Sequence, residues 1–133
     1  MFISIYTMFM KILPDNYVRL DERGEFIECV NSEQVWKSIN GGFMKKGSVM
    51  GNHYHKKCYM LFFLLSGSAE MYMKHVDSSK DEVKKVIMNA PGGVIYEPLE
   101  VQAVKYLQNS TFLMLKSEVY NVGDNDTFSY NII

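Results

Sequence analysis

The chain has 133 residues, 47% of them hydrophobic and 22% charged, with fourteen Lys and Arg against fifteen Asp and Glu. That length fits one domain able to bury about two-thirds of its unfolded surface, and the composition excludes a disordered chain. A net charge of −1 leaves no basic excess, which argues against nucleic acid or an anionic membrane as partner.

The opening stretch, MFISIYTMFM, is apolar and is closed by Lys11 and Pro14. A secretory leader needs a basic start and a membrane span about 20 apolar residues; this stretch offers neither. The expectation is an N-terminal strand over residues 2–9 that pairs with the sheet or with a second subunit, with Met8 or Met10 as an alternative start. Residues 17–20 and 25–30 read as strands around Asp21-Glu22-Arg23-Gly24, a hairpin signal in which Gly24 is free to take positive φ. Asn31-Ser32-Glu33-Gln34 could cap one helical turn. Residues 35–40 read as a strand ended by Gly41-Gly42, with 43–46 as the next.

Strand-like segments then follow at 49–55, 58–65, 68–76, 83–88, 93–96, 101–107 and 111–117. Turn formers such as Ser66-Gly67, Asp77-Ser78-Ser79-Lys80-Asp81, Pro91-Gly92 and Gln108-Asn109-Ser110 separate them. The tail after Glu118 could hold a second helical turn. Short strands without a long helical period or a linker predict one all-β domain over 1–133, closed into a jelly-roll barrel that hides its sheet edges. The run Met60-Leu61-Phe62-Phe63-Leu64-Leu65 is apolar on both faces. One face therefore belongs inside the barrel and the other against a partner sheet or subunit, which predicts a homodimer. Cys29 and Cys58 form neither a disulfide framework nor a CxxC pair, so reduced thiols in a cytoplasmic protein are expected.

The segment Gly51-Asn52-His53-Tyr54-His55 carries the chemistry. On a strand, His53 and His55 point to one face and Asn52 and Tyr54 to the other. Two imidazoles inside a barrel can ligate a metal, exchange protons or hydrogen-bond as core residues. Desolvating both is costly without a purpose, which favours a functional pair.

Gly47, His53, His55 and Gly67 resemble the first motif of the cupin superfamily, and Gly92 and Pro98 fit its second. The resemblance covers about residues 43–118, after N-terminal strands in 1–40, and implies a single-domain cupin, a double-stranded β-helix jelly-roll barrel. Tyr59 or Met60 stands at the motif's Glu position, and Glu100, Ala103 and Leu107 at the second motif's Gly, His and Asn positions. A metal-binding cupin uses two His and a Glu from the first motif and a His from the second. Only His53 and His55 match, so the resemblance implies no metal cofactor. The minority arrangement is a divalent transition metal on His53, His55 and Glu97.

The stretch from Gly51 to Lys57 is similar to the His-x-His-Lys signature of nucleotide-linked keto-sugar isomerases. It is equally similar to the Gly-Asn-His-Trp-His segment of the cupin domain in capsular polysaccharide synthesis reductases. The tail from Lys116 to Tyr130 also resembles the end of those domains, whereas Met50 replaces the family's Arg. This resemblance implies a nucleotide-sugar substrate and metal-free isomerisation or epimerisation through an enolate, in polysaccharide precursor synthesis. His53 would be the base on the carbon next to the keto group, and His55 the shuttle or enolate donor. A near-neutral imidazole suits that task. Lys56 and Lys57, with Lys45 and Lys46, could supply charge for the diphosphate. Trp36 could stack on a base or sugar ring, and Tyr96 and Tyr106 could face the cavity. The rival readings are a non-catalytic cupin that binds a small polar ligand and a metal-dependent cupin.

Overall fold

Alternating apolar side chains lay out the fold. Met60, Phe62 and Leu64 share one strand face, as do Ala69, Met71 and Met73, and all six meet in a single buried cluster with Val94, Val104 and Phe112. Burying a side chain of this size contributes about 1.5–3 kcal/mol, so this cluster is the main source of stability. The computed structural model describes residues 11–13, 15–29, 35–119, 123 and 125–133.

In chain order the strands are β1 (Lys11–Ile12), β2 (Asp15–Asp21), β3 (Gly24–Cys29), β4 (Ser38–Met44), β5 (Val49–His55) and β6 (Met60–Ser66). They continue as β7 (Ser68–His75), β8 (Lys84–Asn89), β9 (Gly92–Tyr96), β10 (Glu100–Tyr106), β11 (Ser110–Lys116) and β12 (Thr127–Ser129). Two five-stranded antiparallel sheets, ordered β1-β9-β6-β11-β4 and β12-β5-β10-β7-β8, enclose the core. From β4 to β12 consecutive strands cross between the two sheets, as in a jelly roll, except that β7 and β8 pair within one sheet, and the all-β expectation holds. β2 and β3 form a separate hairpin whose turn has Gly24 at φ 135° and the Arg23 guanidinium on the Asp21 carboxylate at 2.6 Å.

Two local expectations change. Gly41-Gly42 does not end a strand; β4 runs through both, paired with Leu113 and Phe112 of β11, and a Cβ on Gly41 would come within 2.9 Å of the Leu113 side chain. The segment expected to turn at 77–81 does so, and runs into a short 3₁₀ turn, Lys80–Glu82. The tail after Glu118 carries a strand, β12, where a helical turn was expected; it pairs with β5. The expected N-terminal strand over 2–9 and the helical turn at 31–34 lie outside the described residues. Cys58 is a free, buried thiol. No helix among the described residues is long and apolar enough to cross a membrane.

Candidate active site

β5 carries the histidines, and a bulge decides which way they face. Met50 pairs with Val104 and Gly51 with Ala103, but His53 pairs with Gln102, so Asn52 is an extra residue opposite an unbroken β10. Gly51 has φ 94° and Asn52 φ 55°, the left-handed conformations that glycine and asparagine adopt most readily. A one-residue insertion reverses the face of everything beyond it. Met50 and His53 are three residues apart, an odd spacing that an unbroken strand would place on opposite faces. Here both line the same cavity. The bulge turns the histidines inward.

The cavity, of about 60 Å³, lies between the two sheets. His53 on β5, Gln102 on β10 and Lys116 on β11 give it polar character, and Met60, Phe62 and Met114 form an apolar floor. His53 and His55 lie side by side, ring centroids 5.1 Å apart at 62°. Tyr54 points the other way, stacked on Phe128 of β12 at 5.4 Å. The same-face expectation for His53 and His55, with Tyr54 opposite, is thus met.

Burial, then the neighbouring His55 and Lys116, hold the His53 imidazole well below its usual range, at about 4. His55 is also held low, mainly by burial and further by Lys116, while its bond to the Asp126 main chain works the other way. Both rings are therefore neutral at pH 7 and able to accept a proton. His55 is 6% exposed, with Nδ1 3.1 Å from the Asp126 carbonyl oxygen and Nε2 buried without a partner among the described residues.

A second ionisable group stands nearby in the fold. Glu100 shares the inward face of β10 with Gln102 and is buried; burial first, and Glu97 beside it, push its carboxyl up to about 7. Its Oε1 accepts the Glu97 amide at 2.5 Å, and Glu97 itself pairs with Lys11 on β1.

Several expected site residues stand elsewhere. Tyr96 and Tyr106 are part of the buried core instead of the cavity wall, and burial pushes both phenols up. Tyr106 acts indirectly, donating to the Met50 sulfur at 3.4 Å. Lys56 follows His55 by one residue and so faces outward, its ammonium 4.4 Å from the Phe128 ring centre. Lys57 is exposed on the turn beyond. Trp36 is half-buried on the segment before β4, beside Lys37, whose amide donates to the Lys116 carbonyl at 2.8 Å. Glu97 does not complete a metal site with the histidines: among the described residues no three His, Cys, Asp or Glu side chains could hold a metal ion together. The donor set falls short of the three protein ligands such a site needs.

Lys116, Gln102 and Asp126 were missed. Lys116 was legible, since Phe112, Met114 and Lys116 fall at i, i+2, i+4 on one strand and the first two are core. Asp126 carried no local signal, because its contacts span about 70 residues of chain.

With the cavity, the paired histidines and the β5 bulge in place, comparison with known proteins becomes informative. The profile of the polysaccharide biosynthesis C-terminal domain matches residues 19–128, most of the chain. The chain belongs to that family. Three solved structures share the jelly-roll fold of this polysaccharide biosynthesis C-terminal domain. A 3,4-ketoisomerase from Helicobacter canadensis is 22% identical with a TM-score of 0.74, over 90% of this chain and 89% of that one. The sugar 3,4-ketoisomerase QdtA from Thermoanaerobacterium thermosaccharolyticum, in complex with TDP, is 21% identical with a TM-score of 0.72, over 90% and 86%. The capsular polysaccharide assembling protein CapF from Staphylococcus aureus is 19% identical with a TM-score of 0.67, over 86% of this chain but 32% of that one. No individually curated protein matches.

Proposed function

We propose that this domain is a sugar 3,4-ketoisomerase acting on a nucleotide-linked 4-keto sugar. The observation that carries the reading is a neutral imidazole, His53, on the wall of a cavity that also presents the Lys116 ammonium. Support comes from relatives described as ketoisomerases and from a His-to-Asn variant of QdtA described in complex with TDP-4-keto-6-deoxyglucose.

The chemistry follows from the groups present. A proton on the carbon next to a ketone is weakly acidic, and its removal needs a base within hydrogen-bond reach. In our reading His53 takes the C3 proton, and the C3–H electron pair forms the C3=C4 double bond of an enediolate. Negative charge then gathers on the former keto oxygen, where Lys116 stabilises it. The proton returns to C4, from His53 or by way of His55, while the hydroxyl proton passes from O3 to O4. The carbonyl has moved from C4 to C3, and the enzyme ends as it began. The cation serves twice, since it also lowers both imidazoles and so helps to keep them neutral.

A cavity of about 60 Å³ lies well below the roughly 300–1,000 Å³ usual for ligand pockets. It would take only the reacting edge of the sugar and leave the nucleotide outside the mouth, where Trp36 and Lys57 are our candidates for contact. A homodimer is our reading of the assembly: Ile39, Phe43 and Leu113 are exposed on the outer side of the β4–β11 sheet, an apolar face of the kind that subunits cover. The free Cys58 thiol suits a reducing, cytoplasmic setting.

The deciding experiment incubates the protein with TDP-4-keto-6-deoxyglucose in deuterated water. Deuterium entering the sugar at C3 or C4, with the 3-keto product forming, supports isomerisation. Tight binding without exchange would leave a non-catalytic binding module.

A further inference from the structure

Asp126 meets the neighbourhood of His55 twice, although 71 residues separate the two in sequence. Its main-chain oxygen lies 3.1 Å from His55 Nδ1. Its carboxylate accepts the three successive amides that follow His55: Lys56 on Oδ1, and Lys57 and Cys58 on Oδ2, each at 3.0 Å. Residue 126 is therefore pinned from both ends, by its side chain to the turn after β5 and by its backbone to the imidazole.

The strand that follows is fastened as well. Thr127 pairs with His55 and Ser129 with His53. The bulge residue Asn52 accepts the Tyr130 amide on its main-chain oxygen at 2.9 Å, and the Ile132 and Ile133 amides on its side-chain oxygen at 3.0 and 3.3 Å. The buried Lys74 ammonium sits 4.8 Å from the Tyr130 ring centre.

A carbonyl oxygen only accepts, so the neutral His55 ring that bonds to Asp126 must carry its proton on Nδ1. Its lone pair then lies on Nε2, the buried atom without a partner among the described residues. We infer that Asp126 is a positioning residue, which fixes His55 in the Nδ1–H tautomer and so reserves Nε2 as the proton acceptor beside His53. This deepens the proton-transfer reading above and rests on it for its consequence in turnover. The Asp126 carboxylate also favours the charged form of His55, which eases any step in which that ring carries a proton.

The test is made on the full chain with ¹⁵N-labelled histidine. Asp126→Asn keeps the side chain's shape but loses the oxygen that accepts two of the three amides; Asp126→Ala loses both. In the wild-type protein His55 should give the Nδ1–H pattern of ¹⁵N shifts and couplings. In Asp126→Asn the Nε2–H form should appear, and His55 should titrate lower than in the wild type. On the keto-sugar substrate kcat should fall about 10–100-fold with KM little changed, the usual effect of removing a group that orients a functional histidine. If Asp126→Ala fails to fold, the isosteric variant decides. A folded Asp126→Asn protein whose His55 keeps the wild-type tautomer and titration overturns the inference. Because the tautomer is read without substrate, an absence of turnover in the wild type would count against the ketoisomerase reading alone.

Discussion

Gly51 and Gln102 approach so closely that a Cβ on Gly51 would lie 2.6 Å from the Gln102 carbonyl oxygen. Gly51 also has φ 94°, so a side chain there is strained twice over. Gly51→Ala should lower stability by about 2 kcal/mol or more, measured by urea unfolding. Activity should suffer beyond that, because the bulge at Gly51-Asn52 is what turns His53 into the cavity. A variant with wild-type stability and turnover would show that the bulge has no such role.

His53→Asn should abolish exchange of the sugar's alpha proton while leaving fold and ligand affinity nearly intact. Loss of a general base typically costs about 10²–10⁴-fold in rate. Deuterium wash-in followed by NMR, alongside calorimetric binding, separates the two effects. Exchange within a few-fold of wild type would remove His53 from the mechanism.

The pH profile should carry the mark of Lys116. His53 must be neutral to act, and it protonates at about 4 instead of near 6.5, so kcat/KM should stay level down to about pH 5 before falling. Lys116→Met removes a cation that lowers both imidazoles, so the acid limb should move up in pH. It should also lower kcat at the plateau, by about 10²-fold, the usual loss when a group that stabilises a developing oxyanion is removed. An unshifted limb would separate Lys116 from the histidines.

Glu100 affects stability in the opposite sense from a paired carboxylate. Its carboxyl is raised from 4.5 to about 7 in the fold, so the native state holds a proton that the unfolded chain releases. Stability from this group is present below about 4.5 and is lost as pH rises through 7. Glu100→Gln keeps an acceptor for the Glu97 amide and should raise stability at pH 8 by on the order of 1–2 kcal/mol, with little effect at pH 4.5. Thermal melts at the two pH values read the difference directly.

Lys56→Ala should hardly change ligand affinity, because Lys56 lies over Phe128 on the outside of the barrel. The expected cost is about 0.5–1 kcal/mol of stability from the lost cation–π contact. A marked loss of nucleotide-sugar binding would place the ammonium in the site after all.

Much of the fold could be read from the residues in order. Continuous apolar runs mark β6 and β11 and apolar alternation marks β7, the glycine and asparagine turns separate them, and the His-x-His pair announces its own shared face. These signals are local, set by the two-residue period of a strand and by the φ angles each turn demands. What only the tertiary structure decided depends on partners far away in the chain. Which face of β5 is inner depends on the bulge against β10, and a bulge is defined by its neighbour's register. Tyr96 and Tyr106 have the same sequence character as cavity residues, yet the opposite sheet fills the space in front of them. The tautomer of His55 rests on an oxygen of Asp126, which comes within reach only when the last strand closes on β5. Local sequence encodes periodicity and turn chemistry; the pairing of distant strands selects which of the resulting faces becomes the site.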